Sequence, residues 1–156
     1  MLKIKYSCSY KFPIGEINIA EADGAITDVA FSRVEGAEEK ETPLILQAAE
    51  MLTEYFEGRR KDFEGLPLDA RGTEFQKKAW AALLAIPYGE TRSYGEQAIA
   101  IGNAKACRAV GAANGRNPIS IIIPCHRVIG ADKSLTGYGG GLEIKKALLE
   151  LERKNK

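Results

Sequence analysis

Along the first third of the chain, apolar and polar positions alternate. The runs LKIKYSCSY (residues 2–10) and GEINIAEA (residues 15–22) have period two, and ADGAITDVAFSR, after an Asp23-Gly24 turn, gives a third β-rich run. With Pro13-Ile14-Gly15 as the other turn, this spacing predicts a three-stranded antiparallel meander. VEGAEEKE follows as a polar loop. The period then lengthens: Thr42 and Pro43 supply an N-cap and an N1 proline for a helix over LILQAAEMLTEYFE, closed by Gly58. Leu44, Gln47, Ala48, Met51, Leu52 and Tyr55 fall near its inner face. Residues 59–72, RRKDFEGLPLDARG, have loop composition and form the expected connection to the second half.

From Thr73 onward the pattern is mainly helical. Thr73 with Gln76 three positions on is a capping box, opening EFQKKAWAALLAI with a core stripe of Phe75, Ala79, Trp80, Leu83 and Leu84 and a stop at Pro87. Ser93 with Glu96 repeats the device and opens YGEQAIAI. That helix ends at Gly102-Asn103, and a second, AKACRAVGAAN, is expected to start at Ala104. Two short helices joined by a tight glycine turn form a helix-turn-helix candidate. The second helix is almost all small residues, with Lys105 and Arg108 as its only charges. Such a surface suits close approach to phosphates in a minor groove, or equally well tight packing on another helix. GRNP then reads as a turn, and ISIIIP as a short buried strand ending on Cys125. The fold class expected is α/β: an N-terminal sheet with a helix over 1–70, and a mainly helical, winged helix-turn-helix-like part over 71–156.

Composition excludes some classes. A chain of 156 residues with 45% hydrophobic content can bury the core of one compact domain or two small halves. The alternating start is unlike a signal peptide, and no run approaches the roughly 18 apolar residues of a membrane span. Three cysteines and no secretory signal point to reduced thiols in the cytoplasm. The net charge of +1 hides an asymmetry: residues 1–70 hold 8 Lys/Arg against 14 Asp/Glu, and residues 71–156 hold 14 against 7. A basic second half points to a polyanionic partner; an acidic face docking on a basic one would leave the same trace.

The candidate chemistry lies in IIIPCHRVIG, residues 121–130. Cys125 is a nucleophile only as a thiolate, and His126, the single histidine, is the neighbour whose ordinary pKa lies near neutrality. If the segment is extended, successive side chains point to opposite sides, so His126 would reach Cys125 through a bound water rather than directly. An orienting carboxylate is needed as well. The helix LEIKKALLELERK offers Glu143, Glu150 and Glu152, among which spacing does not choose. Cys8, Cys107, Cys125 and His126 lack zinc-site spacing, so no metal is expected, and no phosphate-cradling lysine motif or other cofactor signal is present. GYGGG, residues 137–141, lets backbone N–H groups approach a flat ligand with Tyr138 to stack, or serves as a plain structural loop.

PCHRV, preceded by RAVGAANGRNP and followed by GYGGGLEIKKALLELE, resembles the O6-alkylguanine-DNA alkyltransferases, the methylated-DNA–protein-cysteine methyltransferases. The resemblance runs in register from about Gly72 to Glu152, including GTEFQKKAW and IPYGETRSY. The first half matches only in layout, which in that family is ribonuclease H-like.

What the resemblance implies is a single-turnover repair protein, a cytoplasmic monomer whose partner is duplex DNA containing O6-alkylguanine, with O4-alkylthymine a second candidate substrate. The family binds the minor groove, flips the damaged base and moves its alkyl group onto cysteine. By position, Cys125 is the acceptor, His126 deprotonates it through a water, and Glu152 holds His126. Asn117 braces the segment before the cysteine. Arg108 enters the stack in place of the flipped base, with Asn103 and Lys105 beside it on the DNA face. Tyr94 crowds the 3′ phosphate and helps guanine leave as a neutral base. The Val128 carbonyl and the backbone at Tyr138 and Gly139 read the guanine. Three positions depart from the family pattern: Ala104 for a proline, Cys107 for another small residue, and Gly139 for a serine found in some members. The related alkyltransferase-like proteins, which bind such DNA without accepting the group, are the alternative; Cys125 argues against them.

Overall fold

The computed structural model describes residues 4–156, so Leu2 and Lys3, the predicted start of the first strand, lie outside the described residues. The chain forms two compact units, Met1–Arg71 and Gly72–Lys156.

In the first unit the meander consists of β1 (Lys5–Phe12), β2 (Gly15–Ala22) and β3 (Ala25–Ala30), paired antiparallel. A fourth strand, β4 (Glu38–Glu39), pairs parallel to β1 through Tyr6↔Glu38 and Ser7↔Glu39, giving the order β3-β2-β1-β4. The expected three-stranded sheet is therefore four-stranded. Two exposed glutamates carry no alternation for a sequence pattern to show; backbone bonding makes the strand, with Lys40 N donating to Ser7 O at 2.9 Å. The 59–72 connection is likewise pinned to β3, since Ile26 N donates to Pro67 O and Asp69 N to Ile26 O, both at 2.8 Å. Helix α1 (Pro43–Phe56) starts as expected, with Thr42 Oγ1 accepting from Ile45 N at 3.1 Å. Its buried stripe is Ile45, Ala48, Ala49, Met51, Leu52 and Tyr55. Ile45 and Ala49 stand in the core, where Leu44 and Gln47 were expected; Gln47 is exposed. The helix is turned to bury a β-branched side chain instead of an amide, and it covers Ile17, Ile19, Ile26 and Val29 of the sheet.

In the second unit both capping boxes form. Helix α2 (Glu74–Leu84) opens on Thr73 and Gln76, and α3 (Tyr94–Ala100) opens on Ser93 and Glu96. Leu84, expected in the core, is 52% exposed; the chain leaves the helix there, and Ile86 is buried in its place. Trp80 is buried, with its indole Nε1 donating to Ala113 O at 2.8 Å. Gly102, at φ 82°, makes the left-handed turn that ends α3. Helix α4 (Cys107–Gly115) begins three residues later than the sequence pattern implied. Ala106 offers no side-chain cap, and 104–106 form a turn in which Ala106 N donates to Asn103 O at 3.0 Å. Small residues let α3 and α4 approach closely through Ala98, Ala106 and Val110. The two-residue strands β5 (Arg92–Ser93) and β6 (Val128–Ile129) pair in parallel, and α5 (Leu142–Asn155) closes the chain. Among the described residues no helix is long and apolar enough to cross a membrane.

Candidate active site

The approach to Cys125 is not a strand. ISIIIP forms a tight turn in which Ile122 N donates to Ser120 O at 2.8 Å, Ile123 N to Ile119 O at 3.0 Å and Cys125 N to Ile123 O at 2.8 Å. Ile121 sits at φ 73°, a conformation that β-branched residues rarely adopt and that costs roughly 1–3 kcal/mol. Two things hold it there. Its side chain is 1% exposed, and Asn117 clamps the turn from below, donating Nδ2–H to Ile123 O at 2.8 Å while Oδ1 accepts from Ile119 N at 3.0 Å. Strand alternation therefore does not set Cys125 and His126 on opposite sides, as expected for an extended segment, because Cys125–Arg127 is a single 3₁₀ turn with all three side chains buried.

That turn points two successive side chains at one carboxylate. His126 Nε2 lies 2.6 Å from Glu152 Oε2. Arg127 Nε donates to Glu152 Oε1 at 2.8 Å and Nη2 to Oε2 at 3.1 Å, while Nη1 donates to Ile86 O at 2.7 Å. Gly89 N donates to Glu152 Oε1 at 3.1 Å. Of the three glutamates the sequence left open, Glu152 is the one brought to His126; Glu143 and Glu150 are exposed. Burial pushes the Glu152 carboxyl up, but hydrogen bonds and charge from His126 and Arg127 outweigh it and hold the group at about 2. An ionised carboxylate only accepts, so Nε2 carries the proton of a neutral ring and Nδ1 its lone pair. Nδ1 is buried and has no hydrogen-bond partner among the described residues. Burial lowers the imidazole pKa, with Arg127 and Lys145 helping and Glu152 opposing, so the ring is neutral near pH 7.

Cys125 is 8% exposed. Burial raises its thiol pKa, and the Asn117 side chain and the Lys145 ammonium pull it back. Lys145, 1% exposed, donates Nζ–H to Val128 O at 2.7 Å and to Thr136 O at 3.0 Å. Both acceptors are neutral carbonyls, so the thiolate is the anion this cation can offset. The site is a buried thiol at rest, with a neutral base and a cation ready for its anion.

Tyr94 enters through Thr136, their hydroxyl oxygens 2.6 Å apart. Tyr138 is drawn in as well: burial first, then the nearby Cys125, raise its hydroxyl pKa well above the ordinary value. Lys145 occupies one of the two lone pairs of the Val128 carbonyl. Gly139 is exposed, with open space where a Cβ would stand. Asn103, Lys105 and Arg108 lie apart from this cluster, exposed on the turn before α4 and on its first residues. Among the described residues no group of three or more His, Cys, Asp or Glu side chains could hold a metal ion.

A family model described as 6-O-methylguanine DNA methyltransferase, DNA binding domain, matches residues 74–154. Another, described as 6-O-methylguanine DNA methyltransferase, ribonuclease-like domain, matches residues 4–70. The chain belongs to the 6-O-methylguanine DNA methyltransferase family. It is similar to the constitutive methylated-DNA–protein-cysteine methyltransferase of Bacillus subtilis, 48% identical over 96% of each chain. The protein of that name from Methanosarcina acetivorans is 49% identical over 94% of this chain and 97% of its own. A crystal structure of Mycobacterium tuberculosis O6-methylguanine methyltransferase aligns with a TM-score of 0.90 at 45% identity, covering 98% of this chain and 95% of that one. A second, of Mycobacterium tuberculosis OGT in complex with DNA, gives 0.88 at 48% identity over 96% and 94%.

In this methyltransferase two buried cations of the site, Lys145 and the guanidinium of Arg127, were not singled out from sequence. A signal was available: Lys145, Leu148 and Glu152 are spaced i, i+3, i+7, which puts two charges on the stripe of α5 that buries Leu148.

Proposed function

We propose that this chain repairs duplex DNA by moving the alkyl group of an O6-alkylguanine onto Cys125 Sγ, once per molecule. The His126–Glu152 pair carries this proposal, because a buried imidazole with Nε2–H committed to a carboxylate and Nδ1 unpartnered is a base looking for one proton. In the scheme, a water passes the Cys125 proton to Nδ1. Sγ attacks the alkyl carbon, the S–C bond forms as the C–O6 bond breaks, and the departing electron pair stays on the purine. The purine then takes a proton from Tyr94 O–H and leaves as neutral guanine. Attack at an sp³ carbon builds no oxyanion there, so no oxyanion hole is required.

The remaining roles follow the exposed surface. Arg108, with Asn103 and Lys105, meets the duplex, and Arg108 fills the gap left by the flipped base, offsetting an unstacking cost of a few kcal/mol. The Val128 carbonyl and the backbone at Tyr138 and Gly139 contact the guanine, which distinguishes an O6-alkylated base by its edge. A thioether is not readily hydrolysed, so turnover stops at one. Cys125, His126, Glu152, Arg127 and Lys145 come from a single chain, which fits a protein acting as a monomer.

The test is intact mass after incubation with a duplex containing O6-methylguanine. A stable gain of one methyl group by the protein, absent in Cys125→Ser, is expected. Binding of the lesion without any mass gain would overturn transfer in favour of damage sensing.

A further inference from the structure

Helices α3 and α4 meet through small side chains. Ala98, Ala106 and Val110, with Phe75, Tyr94 and Ile101 against them, allow close approach but little interlocking. Alanine faces slide past one another at low cost. One directional contact crosses the same interface: Gln97 Nε2–H donates to Asn114 Oδ1 at 2.9 Å, and Asn114 Nδ2–H returns to Gln97 Oε1 at 2.8 Å. The second Gln97 N–H donates to Ala79 O in α2 at 3.1 Å. Gln97 is 2% and Asn114 9% exposed, so a change of register would strand several buried polar atoms.

The pair sits between the exposed surface and the thiol. Gln97 is three residues after Tyr94, at the first turn of α3, and Asn114 is six residues after Arg108, about 9 Å along α4. On the other side, Asn114 O accepts from Asn117 N at 3.2 Å, and the Asn117 side chain clamps the Cys125 turn. Trp80 grips the carbonyl just before Asn114. Hydrogen bonds therefore run without a break from α3 through Asn114 to the residue that shapes the active-site turn.

We propose that Gln97 and Asn114 form a positioning pair, which fixes the register of α4 on α3 so that Arg108 and Tyr94 stand in the right relation to Cys125. This rests on the transfer reaction proposed above. Buried polar pairs are seldom the most stabilising choice and are best attested as devices that specify register. The pair touches neither substrate nor sulfur, so it bears on how DNA is presented, not on the chemistry of the thiol.

The test compares two substrates: O6-benzylguanine as a free base, which needs the cysteine pocket and Tyr94 but no contact from Arg108, and a duplex containing O6-methylguanine. The variants are Gln97→Leu, Asn114→Leu, their double, and the swapped pair Gln97→Asn/Asn114→Gln. Each single variant leaves an amide without its partner and should melt lower; the apolar double should recover most of the loss. In the double, the free-base rate, which depends on Tyr94 but not on Arg108, should fall only a few-fold, while the rate at saturating duplex falls about tenfold or more. The swapped pair should restore part of it. The duplex-to-free-base ratio decides even for poorly folding variants, since both rates scale with the folded fraction. An unchanged ratio in the single and double variants would overturn the proposal. Failure of the wild-type protein to transfer from either substrate would instead overturn the repair function.

Discussion

Arg127 grips both oxygens of Glu152, with Nε 2.8 Å from Oε1 and Nη2 3.1 Å from Oε2. The guanidinium keeps a buried carboxylate ionised, and it also offsets the field that Glu152 exerts on His126. In Arg127→Met the uncompensated carboxylate should favour the imidazolium. The acid limb of the rate profile for free O6-benzylguanine should then move to higher pH. Breaking a buried ion pair also costs about 3 kcal/mol or more, readable as a lower melting temperature. A lower melting point with an unmoved pH profile would limit Arg127 to holding the fold.

Stability should fall on acidification. The Glu152 carboxyl lies at about 2 against an ordinary 4.5, so its contribution is complete above the ordinary value and disappears as pH falls towards the folded one. This amounts to roughly 3 kcal/mol. His126 acts in the same direction, because burial lowers its pKa: below about 6.5 the unfolded chain takes up a proton that the folded chain refuses. Denaturant midpoints measured across the acidic range should drop steeply for the wild type. The curve for Glu152→Gln should start lower at neutral pH and run flatter.

Asn117 offers a separable test of the turn. Asn117→Ala leaves Ile119 N without its partner and Ile123 O with only Cys125 N, under a strained Ile121, which should cost about 1–3 kcal/mol. Asn117→Asp keeps the acceptor for Ile119 N but loses the donor and brings a negative charge near the sulfur. It should be more stable than the alanine variant yet slower in transfer from the free base, because the thiol pKa rises. Equal rates in the two variants would show that Asn117 matters only for shape.

Lys145→Met removes the cation facing Cys125 and the donor to the Val128 and Thr136 carbonyls. The thiol pKa should climb further, and transfer at neutral pH should fall about tenfold or more, with partial recovery in alkaline buffer. Loss of rate without that recovery would point to the loop around Thr136 instead.

The starts of α1, α2 and α3 were legible because their signals are local: Thr42, Thr73 and Ser93 each bond within three residues, whereas α4 has no side-chain cap to show. Cys125 and His126 could be picked out as candidates because few side chains offer a nucleophile and a base, and the fold buries both in one turn. The turn at ISIIIP was not. Three isoleucines in a row read as a strand, and what bends them is Asn117 and burial, neither of which shows in a period-two pattern. β4 failed for the opposite reason, since two glutamates hold a strand position through backbone atoms alone. Lys145 and Lys146 are chemically the same in sequence, and only the packing of Leu148 decides which of the two goes inside.

Trp80 is the chain's one tryptophan, and its indole ends on α4 beside Asn114. Intrinsic tryptophan fluorescence of the whole protein therefore originates at the junction of α2 with α4, and the first unit is silent at that wavelength. A shift in emission as duplex is added would report strain on that junction in real time, with no label introduced and no cysteine disturbed.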